Sequence, residues 1–298
     1  MAKKGVLFGI GAYLIWGFFP LYFKMLQEVP ALQIMFHRMV WSFLLLILLI
    51  FIKREWPSLK EQIAQPRILL IYALSGGLLS MNWLVFIWGV NSDHVVETSL
   101  GYFINPLVSV LLGVIFLKER LRPMQWVPVG LAAAGVIYLT LEYGALPWIA
   151  LALAFSFGMY GLVKKVSPLG AFHSLTLETG IISLPALLYL LYAQYHGSGS
   201  FGHSPLQVSL LLAISGAVTV LPLLLFGSAA RAIPLSTVGI LQYITPTCHF
   251  LLGVLVFSEP FDLTQLAGFA TIWLALGIYS MEGLLVRRSS AAAPSPAD

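Results

Sequence analysis

Charge is what this sequence has least of. Asp, Glu, Lys and Arg make up 9% of its 298 residues, while 59% are hydrophobic. A soluble domain carries about 25% charged residues. So few charges cannot cover a water-exposed surface of this size, and the bilayer is the expected solvent. Cysteine is reduced to Cys248, which excludes an intrachain disulfide. A Walker-type phosphate loop is missing, so ATP is not the direct energy source. No His, Cys, Asp or Glu group has metal-ligand spacing, and no nucleophile–base motif emerges. No catalytic residue, metal or cofactor is therefore expected, and the chain does not read as an enzyme. Polar stretches are too short for an extramembrane domain. The net charge of +4 follows membrane sidedness, so nucleic acid is not an expected partner.

What is present is a series of apolar runs. A spanning helix needs about 20 mostly apolar residues. Ten stretches qualify, near 5–23, 31–52, 68–90, 95–117, 125–141, 147–163, 171–193, 206–230, 235–257 and 264–286. Lys3 and Lys4 before the first run resemble the start of a signal peptide. That run is too long for a signal core and lacks a small-residue cleavage site. It reads as the first span. Most connections are very short, so consecutive helices are antiparallel neighbours. The segments 53–67 and 194–205 read as longer loops, and 289–298, rich in Ser, Ala and Pro, as a disordered tail. With the N-terminus inside, fourteen of the sixteen Lys and Arg residues fall on inner segments. Lys24 falls outside and Arg38 within a span. Positive segments resist translocation, so both termini are expected in the cytoplasm.

The chain also carries itself twice. At an offset of 140 residues, Ile104 meets Ile244 and Pro106 meets Pro246. Leu111–Val114 meet Leu251–Val254 without a mismatch, Glu119 meets Glu259, and Gln125 meets Gln265. Ala73, Ser75 and Gly76 meet Ala213, Ser215 and Gly216; Lys24 meets Lys164. The register divides the chain into 1–142 and 143–288. Five spans per half is an odd number, so the second half must enter the membrane from the opposite side. The expected fold is all-α, ten transmembrane helices as two inverted five-helix repeats. Such repeats build secondary transporters, with the site near the midplane between the halves.

Polar residues inside spans mark candidates for function. Arg38 stands about two turns from one end of the second span. Its repeat counterpart, Glu178, stands about two turns from one end of the seventh. Their opposite charges can serve as a pair of gates or as a substrate carboxylate site. Arg38 can equally snorkel outward or pair with Glu97, and Glu178 can pair with Lys164 or Lys165. Glu97, in a helix's first turn, is also favoured there by the dipole alone. His37 and His249 can relay protons or serve as hydrogen-bonded packing residues. Near mid-depth lie Trp16, Asn82, Trp83, Tyr102, Asn105, Ser156, Thr219, Gln242, Tyr243 and Thr245. Pro106, Pro222 and Pro246 lie there too, and each frees a backbone carbonyl that needs a partner. The expected substrate site has walls of Trp16, Trp83, Tyr102 and Tyr243, with Asn82, Asn105 and Gln242 as polar contacts. Trp56, Trp148 and Tyr195, near span ends, read as belt or loop residues. Gly76, Gly77, Gly113 and Gly253 read as close helix contacts. Glu119 and Glu259 read as isolated.

Several of these residues form longer patterns. Tyr13, Trp16, Gly17, Pro20, Tyr22, Phe23 and Lys24 make one. His37-Arg38 with Trp41-Ser42, Asn82-Trp83, Gly101 to Pro106, and Gln242-Tyr243-Ile244 with Pro246-Thr247 make others. Together they resemble the RarD-type permeases of the EamA family, in the drug/metabolite transporter superfamily, up to about Arg288. The resemblance implies two inverted five-helix halves in a bacterial inner membrane, and transport. The RarD-type members are named for a link to chloramphenicol sensitivity. An exporter, working as a monomer, of small amphipathic compounds such as amino acids, metabolites or drugs is the leading expectation. A receptor, an intramembrane enzyme or a channel-like facilitator is the alternative. A channel would want a continuous polar path, whereas these polar residues cluster at mid-depth.

Overall fold

The computed structural model describes residues 2–91, 94–143 and 146–257, with isolated positions between 267 and 281. Every regular element among them is an α-helix. In chain order they are α1 (Ala2–Gly17), α2 (Phe19–Lys24), α3 (Ala31–Ile52), α4 (Trp56–Ile63), α5 (Pro66–Asn91), α6 (Val95–Phe116), α7 (Pro123–Tyr143), α8 (Trp148–Val166), α9 (Ala171–Tyr195), α10 (Leu206–Ala232), α11 (Leu235–Leu241) and α12 (Ile244–Leu255). Seven segments are long and apolar enough to cross a membrane, namely α1–α2, α3, α5, α8, α9, α10 and α11–α12.

Proline sets many of the starts. Pro30, Pro147, Pro205 and Pro234 are the N-caps of α3, α8, α10 and α11. There a missing N–H removes no helical bond. Two ends are turned by residues in the left-handed region, Arg54 at φ 57° and Lys118 at φ 54°. Each lets the next amide bond back into its helix, Glu55 N to Ile50 O and Glu119 N to Gly113 O, both at 3.0 Å.

Three expectations about the elements are corrected. The first span is not one helix; it stops at Gly17 and restarts as α2, with Pro20 in the first turn. The ninth is likewise divided, between Leu241 and Ile244. The segment 53–67 is not a plain loop, since it holds α4, with Trp56 stacked on Phe51 at 5.2 Å and Leu59 buried. The tenth span, 264–286, and Glu259 and Gln265 lie outside the described residues, apart from isolated helical positions.

The helix contacts come in matched pairs. α1 packs on α10, and α5 on α8. α3 packs on α10, and α5 on α9. α6 packs on α8, and α1 on α11 and α12. Two further contacts, α3 on α9 and α6 on α11, are their own counterparts. Without a hydrophobic drive between helices in lipid, small residues set these approaches. A Cβ on Gly216 of α10 would stand 2.5 Å from the Trp41 carbonyl carbon of α3. One on Gly76 of α5 would stand 3.3 Å from Glu178 O of α9. Gly239 of α11 lies as closely on α6, where a Cβ would meet Pro106 O at 2.7 Å. Gly77 is no such contact, because a Cβ there meets nothing within 4 Å.

The bundle has two ends. At one, Gln33 Nε2 donates to Ser198 O and Ser200 N donates to Gln33 Oε1. Lys24 lies there too, 4.1 Å over the Phe257 ring. At the other, Arg231 Nη1 donates to Ser167 O and Leu169 O, and Lys165 donates to Ile233 O. Glu119 belongs to this second end and is not isolated. Its carboxylate takes Leu235 N at 2.6 Å, Ser236 N at 2.9 Å and Ser236 Oγ at 2.7 Å. It satisfies the first free amides of α11. Gly113 makes room for it, since a Cβ there would touch Glu119 Oε2 at 2.7 Å.

Candidate functional site

The two breaks lie side by side. Pro20 has no N–H, so the carbonyl four residues back, that of Trp16, loses its helical donor. His249 Nε2, on α12, lies 3.2 Å from that oxygen. Thr245 Oγ1 donates to Tyr13 O at 2.9 Å. Gly17 closes the seam, where a Cβ would stand 2.5 Å from Cys248 Cβ. Thr245 thus serves another helix, not a carbonyl freed in its own. Pro246 frees Gln242 O, which accepts Thr245 N instead, at 3.1 Å.

Next to this seam stands Arg38. It is 9% exposed, and its Nε donates to Thr219 Oγ1 at 2.9 Å. Its guanidinium lies 4.3 Å from the centre of the Trp83 ring and 5.4 Å from those of Phe19 and Phe23. A cation–π contact contributes about 0.5–1 kcal/mol at an exposed site and about 2 kcal/mol or more when desolvated. Tyr22 and Tyr102 are within electrostatic reach of it. Tyr102 in turn meets His249 edge to face at 5.9 Å. Helices α2, α5, α6 and α10 thus converge on one guanidinium of α3, and α12 reaches it only through Tyr102. The Glu97 side chain lies outside the described residues.

Glu178 has a different setting. It is fully buried, and Lys164 Nζ lies 2.7 Å from its Oε2. Ser75 and Ser174 donate to Oε1 at 2.7 and 3.2 Å, and Tyr160 to Oε2 at 3.3 Å. Lys164 belongs to α8, not to the loop after it. The carboxylate therefore ties α5, α8 and α9 together.

The remaining expected residues divide. Tyr243 is fully buried and its hydroxyl donates to Phe103 O at 3.3 Å. These two residues are 140 apart, so they are repeat counterparts meeting each other. Gln242 is buried at the break of the ninth span. Asn105 is 5% exposed and its Oδ1 has no hydrogen-bond partner. Such an orphan is rare, and points to a missing donor. Asn82 uses its amide nitrogen on Leu153 O and Ser156 Oγ, each at 2.9 Å, leaving its carbonyl oxygen. Trp16 turns to Tyr13, Phe157 and Phe226, with centroids 5.6, 5.9 and 5.7 Å away. His37 faces away from Arg38, toward Phe201 at 5.3 Å. Trp56, Trp148 and Tyr195 are exposed at helix ends. The sequence reading missed Phe19, Phe23 and Tyr22 as neighbours of Arg38. Pro20 alone could have signalled that their helix breaks there.

The sequence pattern of the EamA-like transporter family matches residues 3–141 and again 146–281. The chain belongs to the EamA-like transporter family. Protein RarD of Streptomyces exfoliatus is 46% identical over 290 residues, spanning 97% of this chain and 92% of that one. Protein RarD of Escherichia coli strain K12 is 44% identical over 286 residues, 96% of this chain and 97% of that one. A solved crystal structure shares the fold, with a TM-score of 0.72 over 94% of this chain and 99% of its own, at 16% identity. This EamA-family chain is a RarD-type permease, a membrane transporter, and a multi-pass protein of the bacterial inner (cell) membrane.

Proposed function

We propose that this EamA-family chain is a secondary transporter that exports small amphipathic organic compounds by alternating access. Its units are residues 1–142 and 143–288, two inverted five-helix repeats with both termini in the cytoplasm. It works as a monomer without a cofactor, and its chemistry is binding and release, not catalysis. The substrate lies at mid-depth, between Trp83 and Tyr102 on one side and Gln242 and Tyr243 on the other, with Asn82 and Asn105 in reach. The observation that carries this reading is the pair of adjacent broken helices, α1–α2 and α11–α12, one in each half. Broken spans in a transporter line the binding site and supply free backbone groups to it. The matched helix contacts and the two stretches that fit one family pattern support the repeat. The orphaned Asn105 Oδ1 favours a substrate with a donor.

The test is transport into inverted vesicles of a labelled panel that includes amino acids and an amphenicol. Gln242→Ala and Trp83→Ala are expected to lower transport roughly tenfold or more while the protein still unfolds cooperatively. Trp148→Ala, half-exposed at the start of α8, leaves transport near wild type. Normal transport in both mid-depth variants would place the site elsewhere.

A further inference from the structure

We infer that Arg38 is the recognition point for the carboxylate of an amphipathic organic acid, whose apolar body lies along Trp83, Phe19 and Phe23. The inference rests on the transporter reading above and names the substrate class of that site. Guanidinium has five N–H donors and cannot shed its charge in a protein. Here Nε is used by Thr219. The Nη nitrogens have no described hydrogen-bond partner, yet they are not among the sealed orphan atoms of the structure. They therefore face space that a small polar group can reach. Among the described residues no carboxylate lies within ion-pair distance of Arg38.

The repeat shows what is lacking. Glu178, the counterpart of Arg38, is answered by Lys164 at 2.7 Å. The counterpart of Lys164 is Lys24, a second cation. The second half thus holds a neutral pair where the first holds two positive charges. A charge inside a span is costly unless it is paired and hydrogen-bonded. The ring faces offset part of that cost. A carboxylate, which fits the guanidinium fork with two parallel hydrogen bonds, supplies the rest. Exposed Lys24, at the same end of the bundle, adds a positive field at the mouth. A neutral amide of the same shape leaves the charge unbalanced, and a cation is repelled.

The experiment uses the full chain in nanodiscs of zwitterionic lipid. Matched pairs are compared by thermal unfolding: phenylacetate with phenylacetamide, indole-3-acetate with its amide, and octanoate with octanamide. The expected result is saturable stabilisation by at least one acid, at about a tenfold lower concentration than its amide. Arg38→Met removes that preference, Arg38→Lys weakens it, and Trp148→Ala keeps it. If Arg38→Met does not fold, the acid–amide comparison on the wild-type chain decides alone. The inference is overturned if no acid exceeds its amide, or if Arg38→Met discriminates as well as wild type. It is also overturned if phosphatidylglycerol stabilises the chain and the acids do not. Absence of acid–amide discrimination in the wild-type chain, with Gln242→Ala still abolishing transport, removes the anion assignment and leaves the mid-depth site standing. Normal transport in both Gln242→Ala and Trp83→Ala removes the site itself.

Discussion

Arg38 and Glu178 hold one register position in two copies of a single sequence, and their surroundings decide their roles. Glu178 accepts from Lys164, Tyr160, Ser75 and Ser174, so its charge is answered and its oxygens are saturated. That suits a lock between helices more than a group that must exchange partners. Removing one member leaves the other charge buried and alone, which costs about 3–5 kcal/mol. Lys164→Met and Glu178→Met are therefore each expected to lower the thermal midpoint sharply. The double variant should recover much of the loss, because two apolar side chains leave no orphaned charge. Simple additivity of the two losses, measured by unfolding in detergent, would mean that they do not act as a pair. The sequence named Lys164 as a candidate because it stands one short connection before Glu178. It placed Thr219 near mid-depth but gave no sign that it meets Arg38, 181 residues away. A hydroxyl inside a span carries no mark of the direction it faces.

The helices show the same division between what is local and what is not. Hydropathy located the crossings because burial in lipid is a property of whole segments. It was blind to the interruptions at Phe18 and at Gln242–Tyr243, which change no residue's polarity. Pro20 and Pro246 were visible, but whether a proline bends a helix or ends it depends on which group donates to the freed carbonyl. For Trp16 that partner is His249, on the other half. The α11 start depends likewise on Glu119, 116 residues earlier. Glu119→Ala would leave the Leu235 and Ser236 amides unpaired, each at about 1–3 kcal/mol if it stays buried. A lowered thermal midpoint, with Glu119→Gln intermediate, is the expected outcome. Close approach gives a sharper contrast among the glycines. Gly216→Leu must push α10 off the Trp41 backbone, and Gly239→Leu must push α11 off Pro106. Overpacking of this kind costs about 1–3 kcal/mol or more. Gly77→Leu meets open space and should unfold like wild type. If all three glycine variants melt alike, backbone approach does not set these contacts.

For the molecule as a whole, the proposed inversion rests on a count and on a set of contacts. Lys53, Arg54, Lys60, Lys118, Arg120, Arg122, Lys164, Lys165 and Arg231 fall at the end of the bundle marked by the Arg231 and Glu119 contacts. Lys24 falls at the end marked by Gln33 and Ser198. The sidedness rule then assigns the first end to the cytoplasm. It does so for both halves, even though the fourth span ends in Lys118-Glu119-Arg120 and its copy in Ser258-Glu259-Pro260. One unit used in both orientations must shed its cations in one of them. Cysteine labelling tests this directly. Cys248 is first replaced by Ala, which leaves no thiol elsewhere in the chain. Lys60→Cys, exposed on α4, is expected to react only when the cytoplasmic side is open to reagent. On the opposite side Gly199 is a poor choice, because a Cβ there would run into Gln194. His203→Cys, exposed in the same loop, replaces it and is expected to react in intact cells. The two positions lie in different halves, after the second and the seventh span. A repeat with the same orientation in both halves would place them on one side of the membrane. An inverted one places them on opposite sides, and labelling of both from the same side would end the inverted-repeat reading.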